Sequence, residues 1–358
     1  MIEESANGVN WFLDRAAEQL LEPFSSWDKF LFAISHGLRG IIDIQNKMAW
    51  LYLISSFGIA WFIYKVEQRK GELPADDGFL GYVFPREIYC HPSAKVDYKF
   101  AAIDNTIQLL FYMPFITGFS YLIHKGVVFI LSDGLSLAPF IGSRAQGTLT
   151  TFILLVLVMD FGFFISHYLM HKVPLLWEFH KVHHSAEVLT PVTVLRSHPV
   201  ETLITFIVGS IFGAIVAGTY AATSGEDANL YTVFSVNVVT FAFYLFASSL
   251  RHSHIWLSYG KVLSHVFISP AQHQIHHSKD PKHWNKNFGY IFAIWDVCIR
   301  SLYVPLAKEK LELGLPNNED REYASVMKLY FLPFKKAVQR CSPFQSRTHT
   351  VSSSLHHS

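Results

Sequence analysis

Two short stretches, "HKVHHS" at 180–185 and "HQIHHS" at 273–278, spell the same histidine triplet in one chain. A third motif, His167 with His171, precedes the first triplet. On a helix, residues three and four apart are neighbours with β-carbons about 5–6 Å apart, so HxxxH and HxxHH each gather imidazoles on one face. Imidazole nitrogen binds transition metals at about 2.0–2.1 Å, so such a face is already a partial coordination shell. The chain holds 19 histidines in 358 residues. At that frequency both triplets would arise by chance in on the order of one chain in a thousand.

The eight motif histidines are His167, His171, His180, His183, His184, His273, His276 and His277, too many for one ion. Two metal ions is the economical reading, with His198, His252, His254 and His283 as possible further ligands. Cys90, Cys298 and Cys341 are far apart and odd in number, so the sequence indicates no disulfide framework and no thiolate ligand set. Imidazole suits Zn, Cu, Fe and Ni. A structural zinc would stop at four ligands. A pair of irons with open positions for O2 as co-substrate fits the count better.

What must position these residues is mostly hydrocarbon-loving. Of the chain, 51% is hydrophobic and only 16% charged, against roughly 25% charged in an average soluble domain. Apolar runs at 48–66, 148–170, 200–220 and 229–250 each approach the ~20 residues that cross a bilayer. A further run, 107–131, is interrupted by His124 and Lys125. The expected architecture is all-α: a polytopic membrane bundle of about four to six spans with a cytoplasmic helical cap. Residues 1–47 are read as a surface segment, its stretch 11–24 amphipathic, and 48–104 as a first span and cytoplasmic loop. Residues 105–305 are read as the catalytic unit, and 306–358 as a surface helix (321–340) with a disordered tail. The first strongly apolar run follows a charged segment, so a cleaved leader is not expected. The net charge of +1 says nothing about nucleic acid, and with no basic stripe in the sequence no nucleic-acid partner is expected.

The polar segment 67–104 carries Arg69, Lys70, Arg86, Lys95 and Lys99, whereas "SGEDAN" (224–229) has no basic residue. The excess of positive charge puts the first on the cytoplasmic side. Two crossings between His198 and His252 then return the chain to the side it left, so every histidine from 167 to 283 can meet at one membrane face. Isolated histidines (His36, His91, His124, His349) are read as caps or interfacial residues, and His356 and His357 as incidental. Trp177, Phe179, Trp284 and Phe288 flank the motifs and are read as interfacial anchors.

HxxxH, HxxHH and HxxHH in this order resemble the fatty acid hydroxylase superfamily, also called the sterol desaturase family. The resemblance covers about 85–305: "HPSAKVDY" (91–98), "HYLMHKVPLLWEFHKVHHS" (167–185), "RSHPVE" (196–201) and "HQIHHSKDPKHWNKNFGYIFAIWD" (273–296). It implies a non-haem di-iron, oxygen-dependent enzyme that hydroxylates, desaturates or cleaves a sterol, fatty acyl or other lipid. It implies further that the eight motif histidines ligate iron, and that an external donor (cytochrome, ferredoxin or reductase) supplies electrons. Many relatives follow "WD" with Phe-Gly-Thr, where this chain reads "WDVCIRSLYVP" (295–305). The setting is an integral, multi-pass protein of a bacterial inner membrane or endoplasmic reticulum.

Ligand histidines commonly give their other N–H to a carboxylate or carbonyl. Glu178, Glu201, Asp280 and Asp296 are close enough in sequence to serve. Asp160 lies seven residues before His167, about 10 Å down a helix axis, where Arg196 or a neighbouring hydroxyl is an equal candidate as its partner. Two alternatives remain at this point. A membrane zinc hydrolase would carry a carboxylate base inside its motif, as HExxH does. A metal transport protein would string ionisable ligands along its spans.

Overall fold

The computed structural model describes residues 21, 24–31, 48–73, 78–108, 112–131, 144–224, 232–233, 236–246 and 248–341. The stretch 11–24, the loop "SGEDAN", His36, His349 and the tail lie largely or wholly outside them.

Among the described residues the regular elements are helices, apart from one two-residue antiparallel pair, β1 (Thr232–Val233) and β2 (Val236–Asn237), and two isolated bridges, Phe267 with Phe292 and Ser278 with Leu313. The main helices are α1 (Trp50–Lys70), α2 (Pro92–Ile107), α3 (Met113–Phe129), α4 (Arg144–Lys172), α5 (Pro174–His184) and α6 (Pro199–Ser224). They continue with α7 (Val238–Leu245), α8 (Pro270–His276), α9 (Ile294–Ile299) and α10 (Val326–Cys341). Proline opens α2, α5, α6 and α8, where its missing N–H costs nothing and its fixed φ suits the first turn.

Among the described residues two helical stretches, Leu149–Lys172 and Pro199–Ser224, are long and apolar enough to cross a membrane. They pack on one another, and α3 packs on α6. Gly162 faces Gly209 and Gly213 faces Met159, an antiparallel register. A Cβ on Gly162 would sit 3.1 Å from the Gly209 Cα, so bare backbone is what lets these two helices approach. A cavity of about 510 Å³ lies between α3, α4 and α6, lined among others by Leu155, Met159 and Gly213 and by none of the motif histidines.

The run at 229–250 departs from the expected single span. Its described part turns through β1 and β2, forms the eight-residue α7 from the Asn237 cap, and ends in a 3₁₀ turn, Ser248–Leu250. Asn237 Oδ1 accepts from the Val239 and Thr240 amides, so an N-cap starts a helix in mid-run. Beyond these two helices, α5 packs on α4 and on α10. Leu329, Pro333 and Ala337 form the buried stripe of α10, the i, i+4, i+8 spacing of an amphipathic helix.

Candidate metal centre

Nine histidines converge in two adjoining groups. The first is His167, His171, His180, His184 and His276; the second is His183, His252, His273 and His277. Within each group the ring nitrogens that could serve as ligands lie within 4.8 Å of one another. The groups touch: the His184 and His277 ring centroids are 4.7 Å apart.

The triplets are dealt reciprocally. In α5 the i, i+4 pair His180 and His184 enters the first group and His183 the second. In α8 and its C-cap the pair His273 and His277 enters the second group and His276 the first. The 3.6-residue period explains the split, because i+3 and i+4 lie on opposite sides of the line through i. His252 joins from the turn after Ser248–Leu250, its Nε2 3.0 Å from that of His273 and 3.1 Å from that of His277.

The remaining candidates go elsewhere. His198 Nδ1 accepts from the Val200 amide, and its Nε2 donates to the Tyr330 carbonyl at 3.0 Å. His254 Nε2 donates to the Tyr82 carbonyl at 2.7 Å. His283 Nε2 lies 3.3 Å from Glu309 Oε2. His91 accepts from the Ser93 amide as the N-cap of α2.

Behind the rings stand mostly acceptors. His167 Nδ1 donates to the Phe288 carbonyl at 2.8 Å, His276 Nδ1 to Lys286 at 2.7 Å, and His183 Nδ1 to Arg196 at 3.2 Å. His180 Nδ1 lies 2.9 Å from Glu201 Oε1, a close polar contact off the line of an ideal hydrogen bond. Such contacts fix which nitrogen faces inward.

Of the five acidic candidates, Glu201 alone meets a ring directly. Asp296 accepts from the Phe288 and Gly289 amides at 2.9 and 2.7 Å and from the Ser301 hydroxyl. It thus holds the loop whose carbonyls back His167 and His276. Asp160 accepts from the Ile291 and Phe292 amides and from Trp295 Nε1 at 2.8, 3.3 and 2.8 Å, pinning the same loop to α4. Arg196 is not its partner; that guanidinium is 2.6 Å from Asp97. Glu178 turns away to Lys181 and Arg340. Asp280 accepts from the Lys282 amide at 3.1 Å and meets no ring of either group.

Two further expectations meet the structure here. Trp177 and Phe288 pack against the His171 ring, with centroids 5.0 and 5.1 Å away, and so wall the centre from within. Phe179 packs at a tilt against His198, with ring centroids 4.9 Å apart, while Trp284 is exposed. The "WDVCIRS" segment places Arg300 in the left-handed region at φ 62, a conformation glycine adopts freely. Ser301 supplies the hydroxyl that Asp296 accepts, so the turn survives with other residues.

The donor set fits a transition metal. His171 Nε2 and His276 Nε2 are buried without a hydrogen-bond partner, which costs roughly 1–3 kcal/mol for each such group. Burial lowers the pKa of His184, His273, His276 and His277, and of His180 to about 3. Burial thus favours the neutral imidazole, the form able to ligate a cation. All-nitrogen donors without thiolate suit Fe, Zn, Cu or Ni. Neither group includes Cys90, Cys298 or Cys341, all exposed.

Residues 152–301 match the fatty acid hydroxylase family model. Over 160 residues the chain is 27% identical to an ornithine lipid hydroxylase, OlsE, of Rhizobium tropici, covering 45% of this chain and 44% of the relative. It is 24% identical over 170 residues to an alkylglycerol monooxygenase of Caenorhabditis elegans, covering 48% of this chain and 30% of the relative. With an alkylglycerol monooxygenase of Danio rerio it shares 27% identity over 146 residues, 41% of this chain and 29% of the relative. The chain thus spans less than half the length of these curated relatives. No solved structure matches it.

Proposed function

We propose that this chain, which carries a fatty acid hydroxylase domain over residues 152–301, is a multi-pass membrane oxidase that inserts oxygen into a C–H bond of a lipid alkyl or acyl chain. The observation that carries this reading is the pair of all-histidine groups against the ends of two apolar helices. Relatives named as a lipid hydroxylase and as monooxygenases favour hydroxylation over desaturation. The balance is then one oxygen atom into the C–H bond and the other into water, with two electrons and two protons from an external donor.

His167, His171, His180, His184 and His276 would hold one iron, and His183, His252, His273 and His277 the other. When bound, the pair supplies the oxidising power that side chains lack. The protein's own residues do the rest. Burial keeps the imidazoles neutral, and the 286–288 carbonyls orient His276 and His167. Glu201 places a carboxylate against His180, where negative charge offsets that of a dimetal site. Trp177 and Phe288 exclude water from the His171 side. The basic residues of 67–104 put this cap on the cytoplasmic face.

Metal analysis of detergent-purified protein, paired with lipid mass spectrometry with and without the protein, tests the reading. Two irons per chain and a lipid gaining one oxygen are expected. Zinc alone would favour a hydrolase, and labile substoichiometric metal a transport role.

A further inference from the structure

The two groups differ in what stands behind them. Arg251 is 4% exposed and forms no ion pair with a carboxylate among the described residues. Its Nη1 donates to the Tyr290 carbonyl at 2.7 Å and its Nη2 to the Gly289 carbonyl at 3.2 Å. The guanidinium lies over the Phe243 and Tyr290 rings, 5.3 and 5.6 Å from their centroids. Its remaining contact is His273 Nδ1, 3.0 Å from Nη2.

A guanidinium has donors only, so this contact has one possible sense: Arg251 donates and the His273 ring accepts. Nδ1 of His273 thereby spends its lone pair outward, whereas His167, His183 and His276 point an N–H at a carbonyl. In neutral imidazole one nitrogen accepts and the other carries the proton. The proton of His273 then belongs on Nε2, the atom 3.0 Å from His252 Nε2 and 3.2 Å from His277 Nε2. A cation can take His273 Nε2 only by displacing that proton or breaking the Arg251 contact, and it also feels a fixed positive charge behind the ring. The first group has five rings to the second's four, and the Glu201 carboxylate instead of a guanidinium.

We propose that Arg251 is a positioning residue that makes the centre unequal, so that the metal ion of the His183, His252, His273 and His277 group is the weaker-held and faster-exchanging of the two. This rests on the two-metal reading above.

Iron release to a chelator, followed per chain on full-length detergent-purified protein, decides it without any activity measurement. Two phases of one equivalent each are expected, separated by at least tenfold, the scale on which ligand surroundings change metal affinity. His277→Asn should abolish the fast equivalent and His171→Asn the slow one. Arg251→Met should slow the fast phase severalfold. Should Arg251→Met fail to fold, Arg251→Gln serves instead, keeping an amide donor while removing the charge, and is likewise expected to slow the fast phase. One common phase for both irons, or an unaltered fast phase in a folded Arg251 variant, would overturn the inference. A wild-type protein loading fewer than two ions would instead sink the two-metal reading itself.

Discussion

The helices bearing the two triplets have the same histidine spacing and opposite means of support. The back of α5 is charged. Lys181 Nζ is 2.9 Å from Glu319 and 3.1 Å from Glu178, Glu178 also meets Arg340, and Lys336 Nζ is 2.6 Å from Glu319. These ion pairs strap α10 and the 3₁₀ turn Pro316–Tyr323 onto the histidine helix. The seven-residue α8 has no such strap. A capping box of Ser269 and Gln272 opens it, and Gln274 Nε2 donates to the Leu250 and Ile255 carbonyls. Asn287 Nδ2 donates to the Gln272 carbonyl at 2.9 Å. A helix of two turns has no stability of its own, so side-chain hydrogen bonds exchanged with the surrounding loops, together with the Arg251 contact to His273, define it. One spacing can therefore be held by ion pairs between side chains or by side-chain hydrogen bonds to backbone carbonyls.

The largest effect should come from removing a ring at the seam of the two groups, His184, which lies against His277. His184→Ala is expected to lower iron content and lipid oxidation by more than about a hundredfold, exceeding the 10–100-fold typical of outer contacts; near-wild-type iron by elemental analysis would contradict its role. Asp296→Asn acts only on the loop side, through the 286–288 carbonyls. About a tenfold loss of iron affinity with the fold intact is expected, and unchanged affinity would remove Asp296 from the support of the centre.

Lys181→Met acts only on the α5 side. Breaking a buried ion pair costs roughly 3–5 kcal/mol; with Arg340 still pairing Glu178, about 2–3 kcal/mol is expected from thermal unfolding of the metal-free protein. A negligible shift would mean that α10 is held by its apolar stripe alone. Acid should act on both sides together. Unfolded, these rings titrate near 6.5, whereas burial lowers His180 to about 3 and also lowers His184, His273, His276 and His277. Below about 6.5 the unfolded chain binds more protons, so metal-free protein loses stability as pH falls from there toward 3, by up to about 1.4 kcal/mol per ring per unit. Above 6.5 these rings contribute no slope. An unfolding midpoint that does not move on acidification would contradict their burial as neutral groups. Least of all should matter Arg300→Gly, which relieves a positive φ but loosens the unfolded chain; a change below about 1 kcal/mol is expected, and a larger loss would assign the Arg300 side chain a structural role.

Much of the centre was legible from spacing, because i, i+3 and i+4 neighbours are a property of the helix itself. The eight motif histidines all enter the two groups on that basis. His252 could not be separated from His198, His254 and His283, since all four lie outside the α-helices, where sequence distance carries no directional information. The same holds for the carboxylates. Glu178 lies two residues before His180 on α5 yet turns toward α10, while Glu201, 21 residues after His180 and three after His198, arrives beside His180 from α6. Asp160 and Asp296 were noticed as acidic residues near ligands; that they act through a shared loop of amides depends on contacts more than 130 residues apart in one case. The apolar run 229–250 was read by composition, which does not register that Asn237 starts a new helix inside it.

The reciprocal dealing of the triplets has one more consequence. Because α5 and α8 each lend two rings to one group and one to the other, turning either helix by a single residue would displace rings of both groups together. Neither helix could therefore be transplanted alone.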